Sequence, residues 1–169
     1  RLAGDGIVRV EHRRGAIVRF LSREEFVSLI QVREVLEGLA ARLAAENKDK
    51  KRYMSELLLL QREACERRKP GSAGIVEFMD HNERFHNLIV ERAADAYLAA
   101  AIRQSHAPLF RLQFHALIDE ESTEGGRMAH DQIVKAILAG DGDKAERAMR
   151  SHIHRSIQLV RNAPDRLFR

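Results

Sequence analysis

The chain has 169 residues, 44% of them apolar, with 29 basic against 25 acidic side chains and a formal charge of +4. That length suits one domain, or one domain with a fragment of a second, and the apolar share can fill a substantial core. No apolar run approaches the roughly 20 residues that a bilayer span needs, no charged-then-apolar leader is expected, and the single Cys65 excludes an internal disulfide and suits a reducing cytoplasm.

The basic excess is uneven. Residues 1–19 carry Arg1, Arg9, Arg13, Arg14 and Arg19 against only Asp5 and Glu11, a balance that suits phosphate contact as well as a solvated end. Within RLAGDGIVRVEHRRGAIVRF, the runs IVRV and AIVRF flank a polar, glycine-ended link and predict a β-hairpin. Arg1–Ala3 reads as the last turn of a helix stopped by Gly4, so residues 1–20 are expected to be the closing part of a larger unit.

From Ser22 the pattern becomes helical. Ser22 and Glu25 form an S-x-x-E capping box. Phe26, Leu29, Ile30, Val32, Leu36, Leu39, Ala40 and Leu43 then recur with mainly helical spacing to about Ala45. A second helix is expected over about 49–68, with Tyr53, Leu57, Leu60 and Ala64 on one face, before the breaker KPGSAG. A third should span about 75–93, and a fourth about 96–118, kinked by Pro108. A polar link, DEESTEGG, leads to a helix over about 127–139, and an AGDG turn leads to one over about 143–161. The sum is an all-α antiparallel bundle of six or seven helices behind a short β-hairpin.

Imidazoles fall on the faces that should hold hydrocarbon. His86 shares a helix face with Phe78, Asn82, Phe85 and Ile89. His130 is followed at the same spacing by Ile133, Val134 and Ile137, and His152 lies among Ala145, Ala148, Met149, Ser156 and Leu159. Buried neutral imidazoles need hydrogen-bond partners or a cation that takes their lone pairs. Spacing leaves both options open. Such a nitrogen-rich set with one amide oxygen from Asn82 suits a divalent transition metal, with open positions for water or a ligand. His12, His81, His106, His115 and His154 are assigned to the surface or to local hydrogen bonding.

NERFHNLIVERAADAYL and HDQIVKAILAGDGDKAERAMRSHI resemble the internal and closing signatures of the FCD effector domain of FadR-type GntR transcription regulators. QVREVLEGLAARLAAE is similar to that domain's opening helix, and RLAGDGIVRVEHRRGAIVR to the end of the recognition helix and the wing of the preceding winged helix-turn-helix. The resemblance implies a wing remnant over 1–20 and an FCD-like effector- and metal-binding domain over 21–163. It implies a divalent metal, Zn or Ni first, held by His86, His130 and His152, with the family's acidic position falling on Asn82 rather than Asp80. An amide brings no charge, so metal affinity should be lower than at an aspartate site. A second departure, Asp95 where the family has asparagine, reads as a capping position where either residue serves.

The same resemblance implies a cytoplasmic, non-enzymatic transcription regulator, with no membrane association, that is a homodimer and binds operator DNA through its N-terminal domain. Arg13 and Arg14 would touch DNA from the wing. A small carboxylate effector would fill the open metal positions and meet Arg33, with Arg111 as a second candidate. Arg33 can equally pair with Glu37 on the next turn. A di-iron helix-bundle oxidase would need two E-x-x-H pairs with further inward glutamates. Only Glu83–His86 has that spacing, since Arg127 and Met149 stand three residues before His130 and His152. A purely structural metal is the other alternative, and it would require a coordinately closed site.

Overall fold

The structure is a computed structural model and describes residues 8–11, 15–18, 20–66, 71–105 and 108–168. Strands β1 (Val8–Glu11) and β2 (Gly15–Val18) pair antiparallel, with Val8 opposite Val18 and Glu11 opposite Gly15, in the hairpin expected from the two β-branched runs. Arg13 and Arg14, assigned to DNA contact, lie outside the described residues, as do His12 and His106. Seven α-helices follow among the described residues: α1 (Arg23–Glu46), α2 (Lys50–Glu66), α3 (Gly71–Ala93), α4 (Ala96–Ser105), α5 (Pro108–His115), α6 (Glu120–Ala139) and α7 (Gly142–Asn162). No described helix is long and apolar enough to cross a membrane.

Helix α1 starts where the capping box places it. The Ser22 hydroxyl accepts from the Glu25 N–H at 3.1 Å, and the Glu25 carboxylate accepts from the Ser22 N–H at 2.9 Å. Its inner stripe runs Phe26, Ile30, Arg33, Glu37, Ala41 and Ala44, all buried. Val32 and Leu39, expected to face inward, are 51% and 40% exposed. The stripe is therefore turned toward the charged pair, and the small alanines let α7 pack closely along α1. Arg23 fixes the far end of α7 by donating to the carbonyls of Val160, Arg161 and Ala163, at a terminus where the helix's own N–H groups run out.

Three boundaries differ from the sequence expectation. Helix α3 begins at Gly71, so most of the glycine-rich breaker is helical. Around the kink expected at Pro108, the described residues give α4 ending at Ser105 and α5 running only from Pro108 to His115, short of the expected end near 118. The DEESTEGG link is the first two turns of α6, capped by Asp119, whose carboxylate accepts from the Ser122 N–H at 2.8 Å. Gly126 does not end a loop there. A Cβ on it would sit 2.5 Å from the Phe78 ring, so its bare backbone makes room for that aromatic. Gly140 closes α6 at a φ of 75°, as the AGDG turn implied.

The core centres on Phe26, fully buried against Phe110 with ring centroids 4.7 Å apart, and against Phe114 and Phe168 at 6.4 and 6.1 Å. Removing one such ring from water contributes roughly 2–3 kcal/mol. Leu57 and Leu60 of α2 are buried as their spacing predicts. The side chains of Tyr53, Ala64 and Cys65 lie outside those the structure describes. Asp95 does cap α4, accepting from the Leu98 N–H at 2.9 Å.

Candidate metal and effector site

Helices α3, α6 and α7 bring His86, His130 and His152 together, with one ring nitrogen of each within 4.8 Å of the others. The Nε2 of His152 lies 3.2 Å from the Nε2 of His86 and 3.2 Å from that of His130. His86 and His130 are buried, and His152 is half-buried. Burial, then the neighbouring His152, holds His130 well below the ordinary histidine range. Burial, then His86, does the same for His152.

The outer nitrogens show what orients the inner ones. His86 Nδ1 lies 2.5 Å from a Glu37 carboxylate oxygen, an acceptor that places a ring proton on that side and turns Nε2 toward His152. His130 Nδ1 lies 3.5 Å from His81 Nε2. His81, assigned to the surface or to local hydrogen bonding, is buried and meets His130, because α6 packs on the side of α3 where it projects. Burial first and Arg84 second push His81 down to about 4, so its ring is neutral at pH 7. When His86 and His130 each carry a single proton, on Nδ1, two lone pairs face His152 Nε2. A proton on His152 can satisfy only one of them, whereas a divalent cation takes all three nitrogens. The donor set fits such a cation.

Glu37 carries a second bond. Its other carboxylate oxygen accepts from Arg33 Nε at 2.7 Å, and both side chains are buried. Sequence reading placed Arg33 and Glu37 as a possible ion pair but missed the contact to His86. The signal was available: two charged residues stand on the apolar stripe of α1, where only partnered charges survive burial. The Arg33 guanidinium carbon also lies 4.6 Å from the centre of the Phe110 ring.

These groups border a cavity of about 690 Å³, within the usual range for small-molecule sites. Arg33, Asn82, His86 and His152 all line it, with Asn82 one turn from His86 on α3. Arg111 lines it too, but its guanidinium is half-exposed and bound to Asp80, at 3.0 Å, and to Glu83. Arg155, which the sequence reading did not single out, also lines the cavity, one turn past His152. Of the remaining histidines, His154 is exposed and lies 2.9 Å from Glu34, and His115 is exposed at the end of α5.

The path out of the cavity toward the hairpin runs through α5. Phe110 and Phe114 line the cavity, while the buried Gln113 between them accepts from the Leu21 N–H at 2.8 Å. Its amide nitrogen donates to the carbonyls of Leu21 and Leu167. The residue that joins hairpin to α1 is thus held by the wall of the cavity.

Comparison with known proteins adds to this geometry. The FCD domain family matches residues 28–155. The HTH-type transcriptional repressor RspR of Escherichia coli (strain K12) is 27% identical over 164 residues, covering 95% of this chain and 69% of that protein. A probable D-xylose utilization operon transcriptional repressor of Paenarthrobacter nicotinovorans is 30% identical over 152 residues, covering 90% of this chain and 65% of that protein. A solved structure described by the words "Lar controls the expression of the Listeria monocytogenes agr system and mediates virulence" shares the fold. Its TM-score is 0.66 at 17% identity, over 96% of this chain and 76% of that one.

Proposed function

The chain belongs to the FCD-domain family, and from that premise we propose that it is the sensing part of a GntR-type transcription regulator that holds a divalent metal and answers to a small organic acid. The observation that carries this reading is the convergence of three imidazole nitrogens at the edge of a cavity that Arg33 also lines. His86, His130 and His152 would hold the metal, Zn or Ni, with Asn82 placed to add an amide oxygen. When bound, the metal supplies a Lewis-acidic position for a carboxylate oxygen. Arg33 supplies the opposing charge-assisted hydrogen bonds, since its guanidinium lines the same cavity as His86 and His152. Arg111, tied to Asp80 and Glu83, sits at the rim and would meet only the distal end of an effector.

Residues 1–20 would be the wing of the DNA-binding domain, with Arg13 and Arg14 against phosphate, and 21–163 the sensor. The protein would act in the cytoplasm as a homodimer on two operator half-sites. An effector alters DNA affinity only by favouring one arrangement of the domains over another. Gln113 gives that bias a route, from the cavity wall to the backbone of Leu21. A metal serving structure alone is less well supported, because the cavity reaches His86 and His152 directly.

The test is metal content. His86→Ala, His130→Ala and His152→Ala should each lower bound zinc and shrink the thermal stabilisation that zinc gives the wild-type chain. Unchanged zinc content in all three variants removes the metal from the proposal.

A further inference from the structure

We propose that the acid this cavity takes is amphiphilic: one carboxylate carrying an apolar body several carbons long, rather than a sugar acid or a three- or four-carbon acid. This rests on the carboxylate reading above and specifies the rest of the molecule. The cavity changes character along its length. At one end stand Arg33, His86 and His152. Away from them, α3 passes Asn82 and then presents Phe78 and Met79, and α7 passes Ser156 and then presents Leu159. Phe78 and Met79 join Ile118 in a small buried cluster separate from the main core, with Phe114 and Leu159 packed against it. All five of these side chains face the cavity.

The spacing sets the reach. Ile30, Phe110 and Ile153 line the cavity beside the charged end, and Phe78 lies two turns from His86 and Leu159 two turns from His152, so the apolar lining continues to about 10–12 Å along the helix axes from the histidine backbones. An acid of three or four carbons anchored at Arg33 would leave the far part of that lining unmet. A sugar acid would set several of its hydroxyls against Phe78, Met79, Ile118 and Leu159, none of which can donate or accept, while polar side chains such as Asn82 and Ser156 could meet only some of them. Several polar groups at the rim are already spoken for. Arg111 is bound to Asp80 and Glu83, and Asp119 to Ser122. The wall itself is held in shape by Gly126, whose missing side chain leaves the Phe78 ring its place.

The experiment is calorimetric titration of the zinc-loaded chain with butyrate, octanoate, gluconate and 1-octanol, repeated with Leu159→Ser. Each added methylene that leaves water should tighten binding by roughly three- to fourfold at best. After ordering costs, octanoate should bind at least about tenfold tighter than butyrate or gluconate. Octanol, which has the same body and no carboxylate, should bind far more weakly. Leu159→Ser, at a half-buried position, should weaken octanoate several-fold and butyrate by much less, with the unliganded Tm read alongside to show that the variant is folded. Butyrate or gluconate binding as tightly as octanoate overturns the apolar body and leaves the carboxylate reading standing. Octanol matching octanoate, or no carboxylate binding at all, overturns the carboxylate anchor and this inference with it.

Discussion

Glu37→Gln keeps the shape of the side chain and removes its charge, at a position where one carboxylate serves two partners. In the wild type its oxygens lie 2.5 Å from His86 Nδ1 and 2.7 Å from Arg33 Nε. A carboxylate behind a ligating imidazole fixes the tautomer and raises ligand basicity, and its loss typically costs 10–100-fold in metal affinity, about 1.4–2.8 kcal/mol. The same change leaves Arg33 without its counter-charge, with a side chain only 11% exposed. Breaking a buried pair from one side costs about 3–5 kcal/mol. The cavity and the Phe110 face offer partial compensation, so the low end, about 3 kcal/mol, is the expected figure, or a fall in Tm of roughly 6–12 °C for a chain of this size. Zinc affinity would be read by competition with a chromophoric chelator, and Tm by calorimetry on the metal-free protein. Adding Arg33→Met should restore much of the lost stability, since no orphaned charge then remains, but none of the zinc affinity. If Glu37→Gln binds zinc as tightly as the wild type, the contact to His86 does not act on the metal and the reasoning is wrong.

Other outcomes follow from the same geometry. Asn82→Asp supplies the negative charge that the amide lacks, so zinc affinity should rise by at least about tenfold while the metal-free Tm changes little; an affinity unchanged by the substitution would place residue 82 outside the metal's reach. His81, His130 and His152 all have folded-state values below the ordinary 6.5, so the unfolded chain takes up protons that the folded one refuses. Stability of the metal-free chain should therefore be complete above about pH 6.5 and fall as pH drops toward 5, by up to about 1.4 kcal/mol per unit for each ring, with His81 contributing down to about 4. Urea titrations at pH 7.5, 6 and 5 measure it, and a flat profile would mean the rings are not buried neutral. Ser22→Ala should cost about 1 kcal/mol by removing the cap of α1, read as a lower urea midpoint without a change in slope.

The parts of the site that were legible in sequence are those set by one helix at a time. His86, His130 and His152 each occupy an apolar stripe, and the stripe alone says that the ring points inward. What sequence did not reveal depends on which helix packs against which. His81 lies about a hundred degrees around α3 from Asn82, and only the placement of α6 turns that direction into the interior. Glu37 is the instructive case, because its spacing from Phe26, Ile30 and Ala41 marked it as buried, yet surface pairing with Arg33 is so common for an i,i+4 pair that the stripe went unread. The helix boundaries erred for a local reason. Glycine and acidic residues around 119–126 look like a loop until Asp119 is seen to cap α6 and Gly126 to admit Phe78. At Pro108 the sequence allows either a kink or a helix start, because proline penalises a helix interior heavily and a helix start hardly at all.

The most direct measurement is anomalous scattering from crystals of this chain grown with zinc, recorded on both sides of the zinc absorption edge. One peak is expected, between the Nε2 atoms of His86, His130 and His152 and open toward the cavity, with Glu37 still on His86 Nδ1. A peak elsewhere, or none there in protein that has bound zinc in solution, would contradict the assignment of these three rings to a metal.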